Sequence, residues 1–274
     1  MMQYFTADDG AKIAYRDTGA GQPLLCLAGL TRNAKDFNYL APHLPDVRMI
    51  CMDYRGRGAS DWTGADTYTI EREATDVVQL LAHLGLNRVP ILGTSRGGLV
   101  GMGLAATLPD MVSGICFNDI GPVIETRGLE TIRNYIGRNP GWRSMDAALE
   151  AMSTGVAGFA NVPRVRWLQE IETHFKSDGN SFSITYDPAL ATAFLEAFVD
   201  PLPDAWPLFE ALADKPVALI RGANSELLSQ DTADEMARRH PGMGFANVPD
   251  RGHVPFLDEP EALSVIRAFL SEVA

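Results

Sequence analysis

Gly93-Thr94-Ser95-Arg96-Gly97 follows a short apolar run, 88–92, and opens a stretch of small residues, 97–108, that reads as a helix. A Gly-x-Ser-x-Gly pentapeptide between a strand and a helix holds its serine on a very sharp turn. The serine backbone is strained there, so the residues two places to either side must be small. Gly93 and Gly97 meet that demand, and Gly98 lets the helix lie close to the strand. The turn lifts the Ser95 hydroxyl beyond the sheet edge, where an imidazole can reach it. Ser95 is the first candidate nucleophile.

Outward from this turn, strand and helix signals alternate. Segment 12–16 alternates like a half-buried strand, while 23–28 and 48–51 are continuous apolar runs, typical of strands covered on both faces. Segment 34–44 has helical spacing. Segment 70–84 puts Val77, Leu80, Leu81 and Leu84 on one face before Gly85 stops it. Pro90 cannot donate to a ladder and is expected at the first turn of its strand. Another strand, 114–118, leads to Asp119. There the rhythm breaks. Segment 121–203 reads as helical and irregular, without a strong strand, and carries Tyr135, Trp142, Phe159, Trp167, Phe175, Phe194 and Phe198. The rhythm resumes with a strand at 216–221, a helix at 230–239, a strand at 244–248 and a closing helix at 260–273. Repeated β–α units predict an α/β fold with a mostly parallel, doubly wound sheet. Its core is expected over 1–120 and 204–274, with 121–203 inserted as a helical lid over the strand ends. The lid aromatics point to an apolar acyl or alcohol group in the substrate.

Composition narrows the classes. The chain has 274 residues, 46% apolar and 21% charged, enough for a sizeable core and unlike a disordered chain. A net charge of -12 opposes a nucleic-acid or anionic-membrane partner. No apolar run approaches the roughly 18 residues of a membrane span. The start, Met1-Met2-Gln3-Tyr4-Phe5, lacks the basic and apolar regions of a secretory signal. Cys26, Cys51 and Cys116 all lie in apolar runs and read as reduced core thiols of a cytoplasmic protein. No two histidines have metal-ligand spacing, and neither metal nor cofactor is expected.

Four further stretches arrive in a telling order. Leu27-Ala28-Gly29-Leu30 follows the first continuous run, and Asp53-Tyr54-Arg55-Gly56-Arg57-Gly58-Ala59-Ser60 follows the second. Then come Gly93–Gly98 and, near the end, Arg251-Gly252-His253-Val254-Pro255-Phe256, with Glu259-Pro260-Glu261 after it. In this set the chain resembles the α/β-hydrolase superfamily over nearly its whole length. The stretches match the family's His-Gly oxyanion loop (with Ala28 in place of the usual histidine), its Asp-x-Arg-Gly-x-Gly turn, its nucleophile elbow and its Gly-His loop.

The resemblance implies a serine nucleophile, Ser95, with His253 as its base and the backbone N–H groups of Leu30 and Arg96 as the oxyanion hole. The acid is less plain. Most relatives carry an aspartate after the strand that follows the lid, and that position here is Ser225. Two carboxylates compete for the role. Glu226 is one residue further on; Asp119 ends the strand after the elbow helix, as in haloalkane-dehalogenase-like and some esterase branches. Asp119 is favoured, with Glu226 the alternative. Arg96 needs a carboxylate partner if buried; Glu226 could supply it, or Arg96 or Arg32 could meet an anionic substrate group. The expected activity is cleavage of a small carboxylic ester or lactone through an acyl-enzyme. The alternative is hydrolysis of a carbon–carbon bond in a ring-cleavage dione, and a non-catalytic ligand-sensing relative ranks lower. A small ester-like molecule is the expected partner, and self-association into a homo-oligomer is left open.

Overall fold

A computed structural model of the protein describes residues 1–197 and 202–274. Phe198, counted above with the aromatics, lies outside the described residues. In chain order the strands are β1 (Met2–Thr6), β2 (Lys12–Thr18), β3 (Gln22–Leu27), β4 (Val47–Met52), β5 (Val89–Thr94), β6 (Val112–Asn118), β7 (Phe175–Ser177), β8 (Phe182–Ile184), β9 (Val217–Gly222) and β10 (Gly244–Val248). The helices are α1 (Ile70–His83), α2 (Arg96–Thr107), α3 (Thr126–Tyr135), α4 (Met145–Gly155), α5 (Arg164–His174), α6 (Leu190–Ala197), α7 (Trp206–Glu210), α8 (Gln230–Arg239) and α9 (Pro260–Glu272).

Among the described residues one eight-stranded sheet runs β1-β2-β4-β3-β5-β6-β9-β10. It is parallel from β4 to β10, and only β1 and β2 run antiparallel to their neighbours. The continuous apolar runs become its central strands, with every residue of β5, β6 and β9 buried. Helices on both faces supply that cover, and two apolar clusters result, one on each side. This is the doubly wound α/β architecture the β–α rhythm predicts.

Local chemistry explains the boundaries. Thr69 caps α1 by accepting from the Arg72 N–H, and Val77, Leu80 and Leu81 turn inward. Pro90 is the second residue of β5, and the β5–β6 register slips between Val89 and Pro90. A missing N–H is tolerated at that irregularity. The expected helix over 34–44 is instead two short 3-10 turns, Ala34–Asn38 and Ala41–His43; Pro42 interrupts the ladder. Two features escaped the pattern reading. β1 buries only Phe5 fully, so it shows little apolar alternation. The hairpin β7–β8 lies inside 121–203, with strands too short to display a period.

The Asp-x-Arg-Gly turn after β4 is held by its own polar groups. Asp53 accepts from the N–H of Ala34 at 2.7 Å and of Ala59 at 2.9 Å. Arg55 is wholly buried and grips Asp76 of α1 through two bonds, at 2.7 and 2.8 Å. The turn is thereby fastened to α1.

Candidate active site

Ser95 joins β5 to α2 with φ 50° and ψ −116°, a conformation few non-glycine residues adopt. The surroundings enforce it. A Cβ at Gly93 would stand 2.6 Å from Gly98 N, and one at Gly97 only 2.1 Å from Leu27 O. The Ser95 N–H donates to Asn118 O at 2.9 Å, tying the turn to the end of β6.

His253, on the loop between β10 and α9, places Nε2 2.9 Å from Ser95 Oγ. Its Nδ1 is 2.7 Å from Asp119 Oδ2. An N–H on Nδ1 leaves Nε2 bare to accept the serine hydroxyl, a tautomer that satisfies both contacts. Asp119 is fully buried, directly beyond β6, with φ 56°. Its Oδ1 accepts from the Gly222 N–H at 2.8 Å, and its Oδ2 also accepts from Ser225 Oγ at 2.6 Å. So the position where the family usually has its acid donates a hydrogen bond to the carboxylate that stands beside His253. Sequence reasoning noted Ser225 only as a missing carboxylate; nothing in a linear count shows that its hydroxyl reaches across to the end of β6.

Glu226 points elsewhere. It pairs with Arg127 at 2.8 Å and accepts from Thr131 at 3.1 Å, both on α3. The Arg96–Glu226 pairing that the sequence left open does not form. Arg96 Nε binds Glu73 of α1 at 2.5 Å, and its Nη2 donates to Tyr68 O at 2.8 Å. Glu73, buried, also faces Arg57 Nη1 at 2.7 Å, and Arg57 Nε donates to Leu30 O at 2.8 Å. One carboxylate thus links the two residues whose N–H groups were expected to form the oxyanion hole. Arg32 flanks Gly29 beside Ser95, but it too has partners: Asp36, and Glu170 of α5 at 3.0 Å.

A family model for the alpha/beta hydrolase family matches residues 24–264. The chain belongs to the α/β-hydrolase family. A 3-hydroxybutyrate-oligomer hydrolase from Cupriavidus necator is 33% identical over 273 residues, covering 95% of this chain and 93% of that one. The crystal structure of an alpha/beta hydrolase from Novosphingobium aromaticivorans superposes with a TM-score of 0.91 at 36% identity, over 99% of this chain and 98% of the other. A 2-(acetamidomethylene)succinate hydrolase from Mesorhizobium japonicum is 27% identical, covering 93% of this chain and 90% of its own.

In this α/β-hydrolase the space in front of Ser95 is large, a cavity of about 1090 Å³. Its walls come from α1, α2, α3, α6 and α7 and from the segments that lead into α3 and α7. Trp142, Phe159 and Trp167 do not line it. They pack on one another's neighbours instead: Trp142 against Phe175 and Phe182, Phe159 against Trp167, and both of the latter against Phe256. These aromatics form the core of the inserted segment. The apolar side chains from 121–203 that reach the cavity are Leu129, Ile132 and Phe194 among others.

Charge in the segment is also organised. Burial pushes the Glu170 carboxyl up, but Arg32 and His174 outweigh it and hold the group well below the usual carboxylate range. Burial and Arg32 push the His174 imidazole down; Asp36 and Glu170 prevail and raise it. All three cysteines are free and buried, and burial raises the Cys26 and Cys116 thiols. Among the described residues no helix is long and apolar enough to cross a membrane.

Proposed function

We propose that this α/β-hydrolase is a serine hydrolase that cleaves a carboxylic ester through an acyl-enzyme on Ser95. One observation carries the reading: the hydrogen-bonded row Ser95–His253–Asp119, with contacts of 2.9 and 2.7 Å. His253 Nε2 takes the hydroxyl proton as Ser95 Oγ attacks the ester carbon. Asp119 keeps Nδ1 protonated and stabilises the imidazolium that forms. The N–H groups of Leu30 and Arg96 receive the carbonyl oxygen as it gains negative charge. Among the described residues neither N–H is bonded to another group of the chain, which supports that role. His253 then protonates the leaving alcohol, and water repeats the sequence to free the acid. Segment 121–203 serves as the lid over this site, and the working compartment is the cytoplasm. The similarity to a hydrolase named for a 3-hydroxybutyrate oligomer favours an ester, because a hydroxy acid oligomerises through ester bonds.

A serine-directed fluorophosphonate, followed by a panel of esters, lactones and ring-cleavage diones, tests the proposal. Wild type is labelled and Ser95→Ala is not, with turnover of the best ester falling by about 10^4 or more. A Ser95→Ala protein within tenfold of wild type would overturn it. Turnover of a dione without any ester moves the reading to carbon–carbon bond hydrolysis.

A further inference from the structure

The cavity before Ser95 is far longer than a small ester needs. One face of α2 lines it from Ser95 and Arg96 through Leu99 and Gly103 to Leu108, about 18 Å at the helical rise. α1 supplies the facing wall with Ile70, Ala74 and Val78, which recur every fourth residue. The threonine hydroxyls along it are already engaged. Thr75 and Thr107 donate to carbonyls of their own helices, and Thr69 caps α1. Leu108, Val123 and Leu208 line this space and remain exposed, an apolar surface that no described residue covers.

Charge defines what can enter. Among the described lining residues Arg96 is the only cation, and its guanidinium is bonded to Glu73, which it shares with Arg57, and to Tyr68 O. Asp66, Glu71, Glu196 and Asp204 stand at the rim, all exposed carboxylates. An anionic group would be repelled at the mouth and find, among the described lining residues, only a guanidinium that is already bonded.

We infer that this groove binds a long, linear, uncharged aliphatic chain attached to the scissile ester. The inference rests on ester cleavage at Ser95 and narrows it to open-chain substrates, away from compact lactones and short charged acids. A fatty acyl chain and an end-capped hydroxyalkanoate oligomer share this chemistry, and the substrates below separate them.

Gly103 provides the test. It lies midway along the α2 face, and a Cβ there would meet nothing within 4 Å. Gly103→Phe places a ring across the groove without crowding the core and without touching Ser95, His253 or Asp119. In wild type, kcat/KM for p-nitrophenyl esters should rise about two- to fourfold per methylene from butyryl to lauroyl, the gain from burying each CH2. Gly103→Phe should erase the part of that rise that comes from methylenes beyond the ring, costing lauroyl about tenfold or more and acetyl no more than about twofold. A lauroyl chain ending in a carboxylate should be at least about tenfold poorer than its methyl-ended counterpart. Methyl-ester-capped 3-hydroxybutyrate oligomers run beside them report which neutral chain is preferred. A flat or falling length profile in wild type, equal losses at every length in Gly103→Phe, or indifference to the terminal carboxylate overturns the inference. If no ester is cleaved and no phosphonate labels Ser95, the ester reading fails on its own. The groove is then read by binding of Nile red, a neutral apolar dye: it is kept if Gly103→Phe loses the dye and overturned if both proteins bind it alike or neither does.

Discussion

At Asp119 three donors converge on one buried carboxylate: the His253 ring, the Ser225 hydroxyl and the Gly222 N–H. Asp119→Asn keeps the shape but introduces an amide N–H that must face one of those donors. In the proposed mechanism the imidazole then loses its tautomer, and turnover should fall about 10^3- to 10^4-fold with the melting temperature nearly unchanged. Glu226→Gln loses an ion pair with Arg127, which is largely exposed, and should leave turnover within a few-fold, since such pairs contribute about 0–1 kcal/mol. Both variants belong on the same substrate with melting curves beside the kinetics. An inactive Glu226→Gln beside an active Asp119→Asn would transfer the acid role to Glu226.

At the scale of elements, α1 does more than cover the sheet. Its Glu73 sits between Arg57, from the turn after β4, and Arg96, the first residue of α2. Glu73 and Arg57 are wholly buried, so the carboxylate neutralises charge that water cannot reach. Removing it leaves guanidinium groups uncompensated in the interior, a change that typically costs about 3–5 kcal/mol. Glu73→Gln should accordingly lower the unfolding free energy by about 3 kcal/mol in urea titrations, and turnover should drop with it because Leu30 and Arg96 lose their common tether. A stability change below about 1 kcal/mol would show that the network bears little of the load. The pairing also explains how a guanidinium is accommodated beside the nucleophile: Glu73 and Tyr68 O hold its side chain.

Across the whole molecule, Arg32 and Asp36, which follow β3, meet Glu170 and His174 of α5. His174 Nε2 lies 3.1 Å from Asp36 Oδ1 and 3.5 Å from Glu170 Oε2, contacts that are ion pairs when the imidazole is protonated. The raised imidazole sets the sign of the pH dependence. A group whose folded value exceeds its unfolded one adds stability that is complete below the unfolded value, about 6.5, and lost as pH rises through the folded value. His174→Gln should therefore lower the melting temperature most near pH 6 and least near pH 9. A difference that is constant, or larger in alkali, would deny His174 a charged role. Glu170 works in the opposite sense: its depressed carboxyl holds its contribution above the ordinary carboxylate range and gives it up in strong acid.

What the residues alone determine is local or ordered along the chain. Gly93 dictates the Ser95 turn because the clash it avoids is with Gly97 and Gly98, a few residues along the chain. Apolar runs of β3, β4 and β5 specify a sheet covered on both faces, and the order of the motifs identifies the family. The tertiary structure alone decides which distant groups meet. It sends Arg96 to Glu73 rather than Glu226, hands the Ser225 hydroxyl to Asp119, and folds Trp142, Phe159 and Trp167 into a core rather than a substrate wall. A carboxylate's partner depends on the side chain's direction and on what packs around it. Those are set by crossings between elements far apart in sequence, and no spacing along the chain encodes them.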